Sequence, residues 1–442
     1  MKFGTDGVRG VANTEITAEF AVRLGRAAAQ VLGAESAAPV VVLGGDTRES
    51  TPMFRAALAA GFASEGIDVI DLVTASTPVV AFEAQRLGVM GAVVSASHNP
   101  YHDNGIKIFA AGGVKLADDV ETKIEALLDT LGPPVGPAGR IGTHSAPEAY
   151  IAHVLGLLEG RTLAGTKVVL DTANGAASSI APAVLRAAGA EVIVIADQPD
   201  GRNINDGCGA MHPEFVAVAV VEQGADVGIA LDGDADRLIA VDHTGATVDG
   251  DHIIAICAAD LRTRGQLVDD TVVVTVMTNL GFRLAMREAG IEVVETAVGD
   301  RYVLEAMAAG GYSLGGEQSG HVIFGDHATT GDGLLTAVVL LDTIARSQRS
   351  LAELATDAMT SLPQILVNVR VDERVPDVAE RLADDIAAAE QRLGETGRVL
   401  VRASGTEPLI RVMVEAADQL EATSVADSLA DIARRRFTAS TH

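Results

Sequence analysis

Cysteine is nearly absent from this chain of 442 residues, which contains only Cys208 and Cys257. Two cysteines so placed provide neither a disulfide framework nor the spacing of a zinc finger, and they favour a reducing compartment. Basic residues are also scarce, because 33 lysines and arginines stand against 60 acidic residues and give a formal net charge of −27. This balance argues against general nucleic-acid binding, which depends on positive charge.

Long apolar runs and a secretory leader are also missing. The N-terminal sequence MKFGTDGVRG lacks the apolar core of a signal peptide. The longest strongly apolar helical run, LLTAVVLL at 334–341, is far too short to span a bilayer. We therefore expect a soluble cytoplasmic protein with neither a membrane nor a nucleic acid as its partner. Its length and its hydrophobic content of 48% predict two to four well-buried domains.

Three segments of the chain share one pattern, and they begin at Val40, Lys167 and Thr271. Each contains a β-branched apolar strand, a small-polar loop, an amphipathic helix that stops near a glycine, and a second apolar strand. This pattern predicts a βαβ unit with parallel strands. Repeats about 100 residues or more apart predict three related α/β domains rather than a solenoid.

The C-terminal part of the chain has a different pattern, which begins near Ile365 and reads strand, helix, two strands and helix. This order predicts a small α+β domain with an antiparallel sheet. The predicted fold class is therefore α/β, with three related α/β domains that have mixed sheets and a small C-terminal α+β domain. The predicted domain boundaries are 1–150, 151–248, 249–362 and 363–442.

An acidic loop, IALDGDADRLIAV, places Asp232, Asp234 and Asp236 between two apolar strands. Alternate side chains of an extended chain point to one side, so the three carboxylates should converge. Convergent carboxylates favour a hard cation, and one Mg²⁺ fits best because it completes its shell with water and phosphate oxygens. An EF-hand does not fit, since Arg237 and His243 stand where its glycine and glutamate are required. A solvated acidic turn is the plainer alternative.

A second loop, RASGTEPLIRV, joins two strands near the C-terminus. Ser404, Gly405 and Thr406 offer hydroxyls and successive backbone N–H groups, which can form an anion-binding nest. Arg402 and Arg411 flank this loop and could add bidentate contacts. Such a sequence taken alone is as often a simple turn. In a chain that also has an acidic metal loop, phosphate binding is the stronger interpretation.

The stretch VMGAVVSASHNPYHDNGIKIF places Ser97 at the end of a buried strand, where it is a candidate nucleophile. Asn104-Gly105 predicts a tight turn that would fold Lys107 back toward the strand end. There Lys107 could act as a general acid/base if burial or neighbouring cations lowered its pKa. We expect His98 to be a poor partner for Ser97, since adjacent side chains of an extended chain point apart. A surface hairpin is the alternative.

A glycine-rich loop, LGGEQSGHVIF, supplies Glu317, Ser319 and His321. A carboxylate, an amide and a hydroxyl in close succession suit a polyol, although a simple turn is as common. Ser95, two residues earlier, is the competing candidate for the role of Ser97, and we expect Ser95 to lie deeper in the strand. A serine beside a magnesium loop and a phosphate nest favours phosphoryl transfer over acyl transfer.

Taken in order, SASHNP, DGDADR, GEQSGH and RASGTEPLIRV resemble the α-D-phosphohexomutase superfamily along the whole chain. The resemblance implies four domains around a central active-site cleft. It implies a phosphoserine at Ser97 and one Mg²⁺ bound by that group and the three aspartates. It makes Lys107 the general acid/base and adds Arg9, His98 and His321 to the active site. The substrate-binding residues that it implies are Glu317, Gln318, Ser319, Arg402, Ser404, Gly405, Thr406 and Arg411.

The segments FGTDGVRG, GEQSGH and CGAMHPE resemble the branch of this superfamily that acts on glucosamine phosphates. Members that act on mannose or glucose phosphates usually have methionine in place of Gln318. Many relatives also have serine and threonine where this chain has Ala210 and Met211, and we assign no effect to that difference.

This resemblance implies interconversion of glucosamine 6-phosphate and glucosamine 1-phosphate through a 1,6-bisphosphate, which supplies amino-sugar precursors for the bacterial cell wall. A hexosamine or glucose 1,6-bisphosphate would be the activator, and the protein would be a monomer or homodimer. The closest alternative is the same chemistry on glucose or mannose phosphates. A magnesium-dependent sugar phosphatase and a non-enzymatic sugar-phosphate-binding protein are the others.

Overall fold

The computed structural model describes residues 2–4, 6–33, 39–144, 148–404 and 408–438. By its internal contacts the chain divides into two compact units. The first comprises Met1–Met277 and Gly290–Ala358, and the second comprises Thr278–Ala289 and Met359–His442. None of the helices within the described ranges combines the length and the apolar character needed to cross a bilayer.

The first sheet of the first unit carries Ser97 at the end of one of its strands. The part of the chain that forms this sheet contains, among the described residues, β1 (Val8–Val11), α1 (Ala18–Leu32), β2 (Val40–Gly45), α2 (Thr51–Ser64), β3 (Asp68–Asp71), α3 (Thr77–Leu87), β4 (Met90–Val94), β5 (Asp103–Ala110), β6 (Val114–Lys115), α4 (Asp118–Leu128) and β7 (Ile141–Thr143). The strand order is β1-β5-β4-β2-β3-β7, and β6 pairs with β5. Strands β4, β2, β3 and β7 are parallel, whereas β5 is antiparallel to its neighbours, so the sheet is mixed.

Helices α1 and α2 approach each other closely because glycines stand at their contact. A Cβ on Gly25 of α1 would lie only 2.6 Å from the carbonyl oxygen of Leu58 in α2. The large apolar side chains around this contact form one core with Ala92 and Val94 of β4. Burying each large apolar side chain stabilises the fold by about 1.5–3 kcal/mol. This core therefore holds the strand that leads to Ser97.

Two more sheets follow in the first unit, and the chain segment of the third sheet also includes one helix that belongs to the second unit, α9 (Leu280–Glu288). The second segment contains α5 (Glu148–Gly156), β8 (Lys167–Asp171), α6 (Ile180–Ala187), β9 (Glu191–Ile195), α7 (Pro213–Gln223), β10 (Val227–Leu231), β11 (Leu238–Asp242) and β12 (Thr247–Val248). The third contains α8 (Gly250–Thr263), a 3-10 helix (Val268–Asp270), β13 (Thr271–Thr275), α9 (Leu280–Glu288), β14 (Glu292–Thr296), α10 (Asp300–Gly310), β15 (Leu314–Gly316), β16 (Val322–Phe324), α11 (Gly333–Ser347) and α12 (Leu351–Ala358). The strand orders are β12-β11-β10-β8-β9 and β14-β13-β15-β16.

The three predicted βαβ repeats are confirmed. Strands β2 and β3, β8 and β9, and β13 and β14 form parallel pairs, and one helix lies between the strands of each pair in the sequence. Each sheet also contains an antiparallel pair, which makes all three sheets mixed as predicted. The domain boundaries stay a prediction.

The second unit contains the antiparallel sheet that the C-terminal pattern predicts. Besides α9, its described elements are β17 (Gln364–Arg370), α13 (Val378–Arg381), α14 (Ala383–Leu393), a 3-10 helix (Gly394–Thr396), β18 (Arg398–Ala403), β19 (Leu409–Glu415) and α15 (Gln419–Phe437). The strand order is β17-β19-β18, and both pairings are antiparallel. Apolar residues of the sheet and of α15 form one core, among them Ile410, Val412 and Leu429. The predicted α+β class of this part is confirmed.

Candidate active site

Ser97 lies just beyond the end of β4, in a backbone conformation that residues with a Cβ seldom adopt. Its φ is +53°, in the left-handed region. The residue is buried, and its Oγ donates a hydrogen bond to Asp232 Oδ2 at 2.6 Å. The first sheet thus presents the serine to the acidic loop of the second sheet, between β10 and β11. The structure brings together these two predicted parts of the site.

The left-handed backbone also overturns the expectation about His98. Ser97 Oγ lies 3.3 Å from His98 Nδ1, so the two neighbouring side chains do meet. The expectation assumed an extended chain, in which adjacent side chains diverge. The positive φ at Ser97 means that the backbone is not extended there, so the assumption does not hold.

The predicted Asn104-Gly105 turn is wrong, because both residues lie inside β5, between β4 and β1. A Cβ on Gly105 would lie 2.5 Å from the Ser95 carbonyl oxygen, so glycine is needed there for close strand pairing. Lys107 reaches the site because β5 pairs with β4, and not because a turn folds it back.

Asp232, Asp234 and Asp236 converge, but through a turn rather than through an extended strand. Residues 233 and 234 form a turn, and Ala235 has a φ of +57°. One carboxylate oxygen from each of the three buried aspartates lies within 4.8 Å of the others. The predicted cluster is therefore present, although the local geometry that produces it differs from the expected one.

Lys107 lies against this cluster. Its Nζ is 2.8 Å from Asp234 Oδ2, 3.0 Å from Asp236 Oδ2 and 3.0 Å from Asp6 Oδ2. Burial by itself would lower the pKa of Lys107, but Asp234 and Asp236 outweigh burial and the pKa is raised. The condition set for a lysine base, a lowered pKa, is therefore not met, and in this arrangement Lys107 is an ammonium ion.

The acidic cluster fits a divalent cation. Asp234 Oδ1 and Asp236 Oδ1 are buried and have no hydrogen-bond partner among the described residues. Burial, Asp236 and Asp234 together raise the pKa of Asp232 well above its usual value, which reflects crowded negative charge. Oxygen ligands of this kind suit a hard cation. The cluster is a candidate metal site, and a solvated acidic turn is ruled out by its burial.

Two arginines and His98 lie close to the aspartates. The Nε atoms of Arg9 and Arg237 are buried without a hydrogen-bond partner in the described part of the chain, while Arg9 also forms an ion pair with Asp6. Burial, then Arg237 and Arg9, lower the pKa of His98 to about 4. The imidazole of His98 is therefore neutral at pH 7. Arg237 was not singled out from the sequence as a ligand-binding residue.

We expect protonation of His98 to be coupled to unfolding at acidic pH. Its folded pKa of about 4 lies below the unfolded value of about 6.5, so its contribution to stability is complete above about pH 6.5 and falls as pH decreases toward 4. The measurement is the C2–H chemical shift of His98 from pH 3 to 8, in protein treated with phosphatase and chelator. On acidification, the free energy of unfolding of the His98→Gln variant should also decrease less than that of the protein without the substitution.

The matched control for this titration is His102→Gln, because the imidazole of His102 is more than half exposed. His102→Gln should retain the loss of unfolding free energy on acidification that His98→Gln reduces. A His98 midpoint at pH 6 or above would contradict the expected burial beside two arginines.

The GEQSGH loop lies beside the acidic loop. Leu238, two residues after Asp236, donates its N–H to Gly320 O at 3.0 Å. Gln318 Nε2 donates to Asp249 Oδ2 at 3.3 Å, and Asp249 caps the N-terminus of α8. The amide nitrogen of Gln318 is therefore engaged by the start of a helix.

Glu317, Ser319 and His321 occupy the same loop with different partners. Glu317 Oε1 accepts a hydrogen bond from Gly299 N–H at 3.3 Å. Ser319 Oγ is buried without a partner among the described residues, so it remains available to a ligand hydroxyl. His321 is buried, and its Nδ1 lies 3.8 Å from Asp236 Oδ1. Through His321 the loop thus lies against the acidic cluster.

Three charged residues that sequence reasoning missed extend this cluster. His321 Nε2 lies 3.6 Å from Asp300 Oδ2, Asp300 pairs with Lys115, and Lys115 Nζ lies 3.3 Å from Asp6 Oδ1. Burial would lower the pKa of His321, but Asp236 and Asp300 outweigh burial and raise it. Asp300 follows a glycine at the start of α10, which is the one local signal that could have suggested it.

Buried polar residues around Ser97 and the acidic loop were also missed. They are Asp46, Arg48 and Asn205, and also Thr77, whose Oγ1 donates to Asp234 Oδ2 at 2.6 Å. The sequence signal was GGDTR, in which an acid and an arginine directly follow the buried strand β2. Asn205 lies in a loop of the second segment and has no such signal.

The predicted phosphate loop lies in the second unit, and its residues Gly405 and Thr406 fall outside the described residues. Arg402 of β18 and Arg411 of β19 are opposite each other in the strand register. Burial and Arg411 lower the pKa of Arg402. Ser404 is buried, and its N–H donates to Leu409 O at 2.8 Å. Two adjacent guanidinium groups make this end of the sheet electropositive, which suits an anion.

Family models for phosphoglucomutase/phosphomannomutase match the chain in four consecutive parts. Alpha/beta/alpha domain I matches residues 1–133, domain II residues 148–245, domain III residues 249–362, and the C-terminal domain residues 366–432. A phosphoglucosamine mutase of Frankia casuarinae is 56% identical, with 98% of each chain covered. One of Rhodococcus erythropolis is 54% identical, with 97% of this chain and 98% of the other covered. The chain belongs to the phosphoglucosamine mutase family. It is an isomerase of the phosphohexomutase superfamily.

Solved structures support the fold at lower identity. A phosphoglucomutase/phosphomannomutase family protein from Burkholderia thailandensis has a TM-score of 0.83 at 24% identity, covering 98% of this chain and 97% of the other. N-acetylphosphoglucosamine mutase of Aspergillus fumigatus, solved with GlcNAc-6P and magnesium, has a TM-score of 0.71 at 18% identity, covering 99% and 96%. At these identities the likeness is one of fold.

Proposed function

We propose that the protein interconverts glucosamine 6-phosphate and glucosamine 1-phosphate through a phosphorylated Ser97. The observation that carries this proposal is the 2.6 Å contact between Ser97 Oγ and Asp232 within a buried cluster of three carboxylates. Curated relatives at about 55% identity are phosphoglucosamine mutases. The product would supply amino-sugar precursors for the bacterial cell wall.

The reaction consists of two phosphoryl transfers. In the first, the P–Oγ bond of phosphoserine breaks and a bond forms between phosphorus and a sugar hydroxyl oxygen. The proton of that hydroxyl is taken up in place of the one that Lys107 gives to Ser97 Oγ, so in net one proton passes from the sugar to the serine. The sugar 1,6-bisphosphate then turns over, and its other phosphoryl group returns to Ser97 Oγ, restoring the phosphoserine. Such transfers require mainly positioning and charge stabilisation from the protein. Arg402, Ser404, Gly405, Thr406 and Arg411 are proposed to hold the phosphate that does not react.

Lys107 is proposed as the general acid/base. Its raised pKa means that it begins as the acid, so its ammonium group can donate a proton to Ser97 Oγ as the P–Oγ bond breaks. Neutral His98, together with Arg9 and His321, is proposed to contact the reacting phosphate. Glu317 and Ser319 are proposed to bind sugar hydroxyls, which both donate and accept hydrogen bonds.

Magnesium is the proposed metal, held by Asp232, Asp234, Asp236 and a phosphate oxygen on Ser97, and it would neutralise charge on the transferring group. A hexosamine or glucose 1,6-bisphosphate is the proposed activator, because it can phosphorylate Ser97 and leave a sugar monophosphate. The partner is a small sugar phosphate, and nucleic-acid binding is not expected at a net charge of −27. A cytoplasmic location and a monomeric or homodimeric state remain predictions.

We expect kcat/KM for glucosamine phosphate to exceed that for glucose phosphate by about 10²-fold, with weak residual phosphoglucomutase activity. The two sugars differ only at C2, where an ammonium group replaces a hydroxyl, and a hydroxyl can still enter such a site. The measurement is kcat/KM for glucosamine, glucose, mannose and N-acetylglucosamine phosphates at the same activator and Mg²⁺ concentrations. Equal or higher values for glucose or mannose phosphate would overturn the assigned substrate.

One variant and two further measurements sharpen this test. Gln318→Met should not exchange the preference, because the Gln318 amide is bound to Asp249. Release of inorganic phosphate in place of the isomer would indicate a phosphatase. Sugar-phosphate binding without exchange of labelled phosphate would indicate a binding protein.

A further inference from the structure

The carbonyl group of Ser97 is held by two side chains from different parts of the first unit. Arg48 Nη2, from the loop after β2, donates to Ser97 O at 2.8 Å. Asn205 Nδ2, from the loop between β9 and α7, donates to the same oxygen at 2.9 Å and to Asn99 O at 3.1 Å. Arg48 and Asn205 are both buried.

These bonds hold a conformation that the serine would not adopt by preference. With a φ of +53°, Ser97 is in the left-handed region, which a residue with a Cβ adopts only when its surroundings impose it. In this conformation Oγ faces Asp232 at 2.6 Å while the carbonyl oxygen faces Arg48 and Asn205. Releasing the carbonyl would allow the chain to relax and the Oγ to change direction.

The N–H group of Ser97 is held by the network that also positions Arg48. It donates to Ser95 Oγ at 2.9 Å, and Ser95 Oγ donates to Asp46 Oδ2 at 2.7 Å. The same carboxylate oxygen accepts from Arg48 Nε at 2.7 Å. Ser95, Asp46 and Arg48 thus form a closed path from the N–H to the carbonyl of Ser97.

Asn205 also links the serine to the acidic loop. A Cβ on Gly233, between two of the aspartates, would lie 2.6 Å from Ser97 O and 2.9 Å from Asn205 Nδ2. Asn205 Oδ1 is buried without a hydrogen-bond partner among the described residues. A buried amide oxygen without a partner reduces stability, whereas the Nδ2 group of the same side chain donates to both Ser97 O and Asn99 O.

We infer that Asn205 is a positioning residue for phosphoryl transfer: it holds the Ser97 carbonyl so that Oγ stays directed at the aspartate cluster. This inference rests on the proposed function, in which Ser97 Oγ gains and loses the phosphoryl group. It assigns to a loop of the second segment a role in aligning the nucleophile on the first sheet. Asn205 itself makes no contact with the reacting oxygen in this role.

The test compares Asn205→Asp and Asn205→Gly with the control Asn203→Asp. Aspartate keeps the shape of asparagine but replaces the donor with an oxygen that repels Ser97 O. Glycine removes the side chain and tolerates the φ of +57° found at position 205. Asn203 lies in the same loop, and its side chain bonds only to that loop in the described structure.

Both Asn205 variants should lower kcat by about 10- to 100-fold, because small misplacements of a reacting group cost rates of this order. KM should stay within about 2-fold, since the sugar loop is untouched. The single-turnover rate of Ser97 phosphorylation by glucose 1,6-bisphosphate, followed by intact mass, should fall in parallel with kcat. The Asn203→Asp control should match the unmodified protein in all three measurements.

Unchanged kcat in either folded variant would overturn the inference, as would failure of both variants to fold, which would make Asn205 a structural residue. If Asn205→Asp alone is unfolded, Asn205→Gly decides. Failure of the proposed function gives a different result, because the unmodified protein would then not isomerise the sugar phosphate. If that protein still accepts the phosphoryl group on Ser97, the single-turnover rate tests Asn205 independently.

Discussion

Ser97→Ala is expected to lower kcat for glucosamine phosphate interconversion by at least about 10³-fold while the protein remains folded. The substitution removes the oxygen that would carry the phosphoryl group. It keeps the Cβ, and the Ser97 carbonyl can still accept from Arg48 and Asn205. Loss of the single hydrogen bond to Asp232 should cost about 1–3 kcal/mol, which is less than the stability of about 5–15 kcal/mol typical of a folded protein. The measurements are steady-state kinetics and circular dichroism.

Ser95 is the competing site for phosphate, and burial does not separate the two serines as we expected. Both are almost completely buried, at 0% exposure for Ser95 and 1% for Ser97. Their partners separate them, because Ser95 Oγ donates to Asp46 and Ser97 Oγ donates to Asp232. Peptide mass analysis of the purified protein should find phosphate on Ser97. Phosphate on Ser95 but never on Ser97 would overturn the assignment.

Asp234→Ala should lower turnover by at least about 10²-fold, because it removes one proposed metal ligand and the negative charge that pairs with Lys107. Asp234→Asn is the matched variant, since its amide oxygen can still accept from Thr77 Oγ1 while its charge is lost. Both variants should bind Mg²⁺ more weakly in a calorimetric titration. Asp119→Asn, at an exposed carboxylate in α4, should change neither turnover nor Mg²⁺ affinity.

If Asp234 acts by binding the metal ion, removing the ion with a chelator and substituting Asp234 should impair the same phosphoryl transfer. The unmodified protein should lose its activity in strong chelator and recover it when excess Mg²⁺ is added. Full activity of Asp234→Ala in the presence of the chelator would contradict a role for a metal ion in catalysis. Activity loss with unchanged Mg²⁺ binding would instead assign Asp234 to the placement of Lys107.

The repeated elements of the fold were predictable because their signals are local. A β-branched strand and an amphipathic helix that ends at glycine differ in the spacing of their hydrophobic residues. That spacing can be seen in consecutive residues of the sequence. The pairs β2–β3, β8–β9 and β13–β14 are parallel as expected from this pattern. The antiparallel sheet of the second unit was predictable for the same reason.

Local signals failed where strand pairing overrides them. Asn104-Gly105 is typical of a tight turn, yet it lies inside β5, which pairs with β1 on one side and with β4 on the other. His98 was expected to point away from Ser97, but the positive φ of the serine turns the two side chains together. Neither feature has a signature within a short stretch of the chain.

The sequence by itself determined which chemical groups this protein has and the elements that carry them: a serine at a strand end, three aspartates in one loop and a glycine-rich polar loop. Composition and periodicity act between neighbours along the chain, so they could be read directly. Only the tertiary structure decided that Lys107 is an ammonium ion between Asp234 and Asp236, and that Asn205 and Arg48 hold the Ser97 carbonyl. These contacts join residues about 50 to 130 positions apart, and burial and neighbouring charges together set the pKa values of the ionisable groups, so no local pattern could specify them.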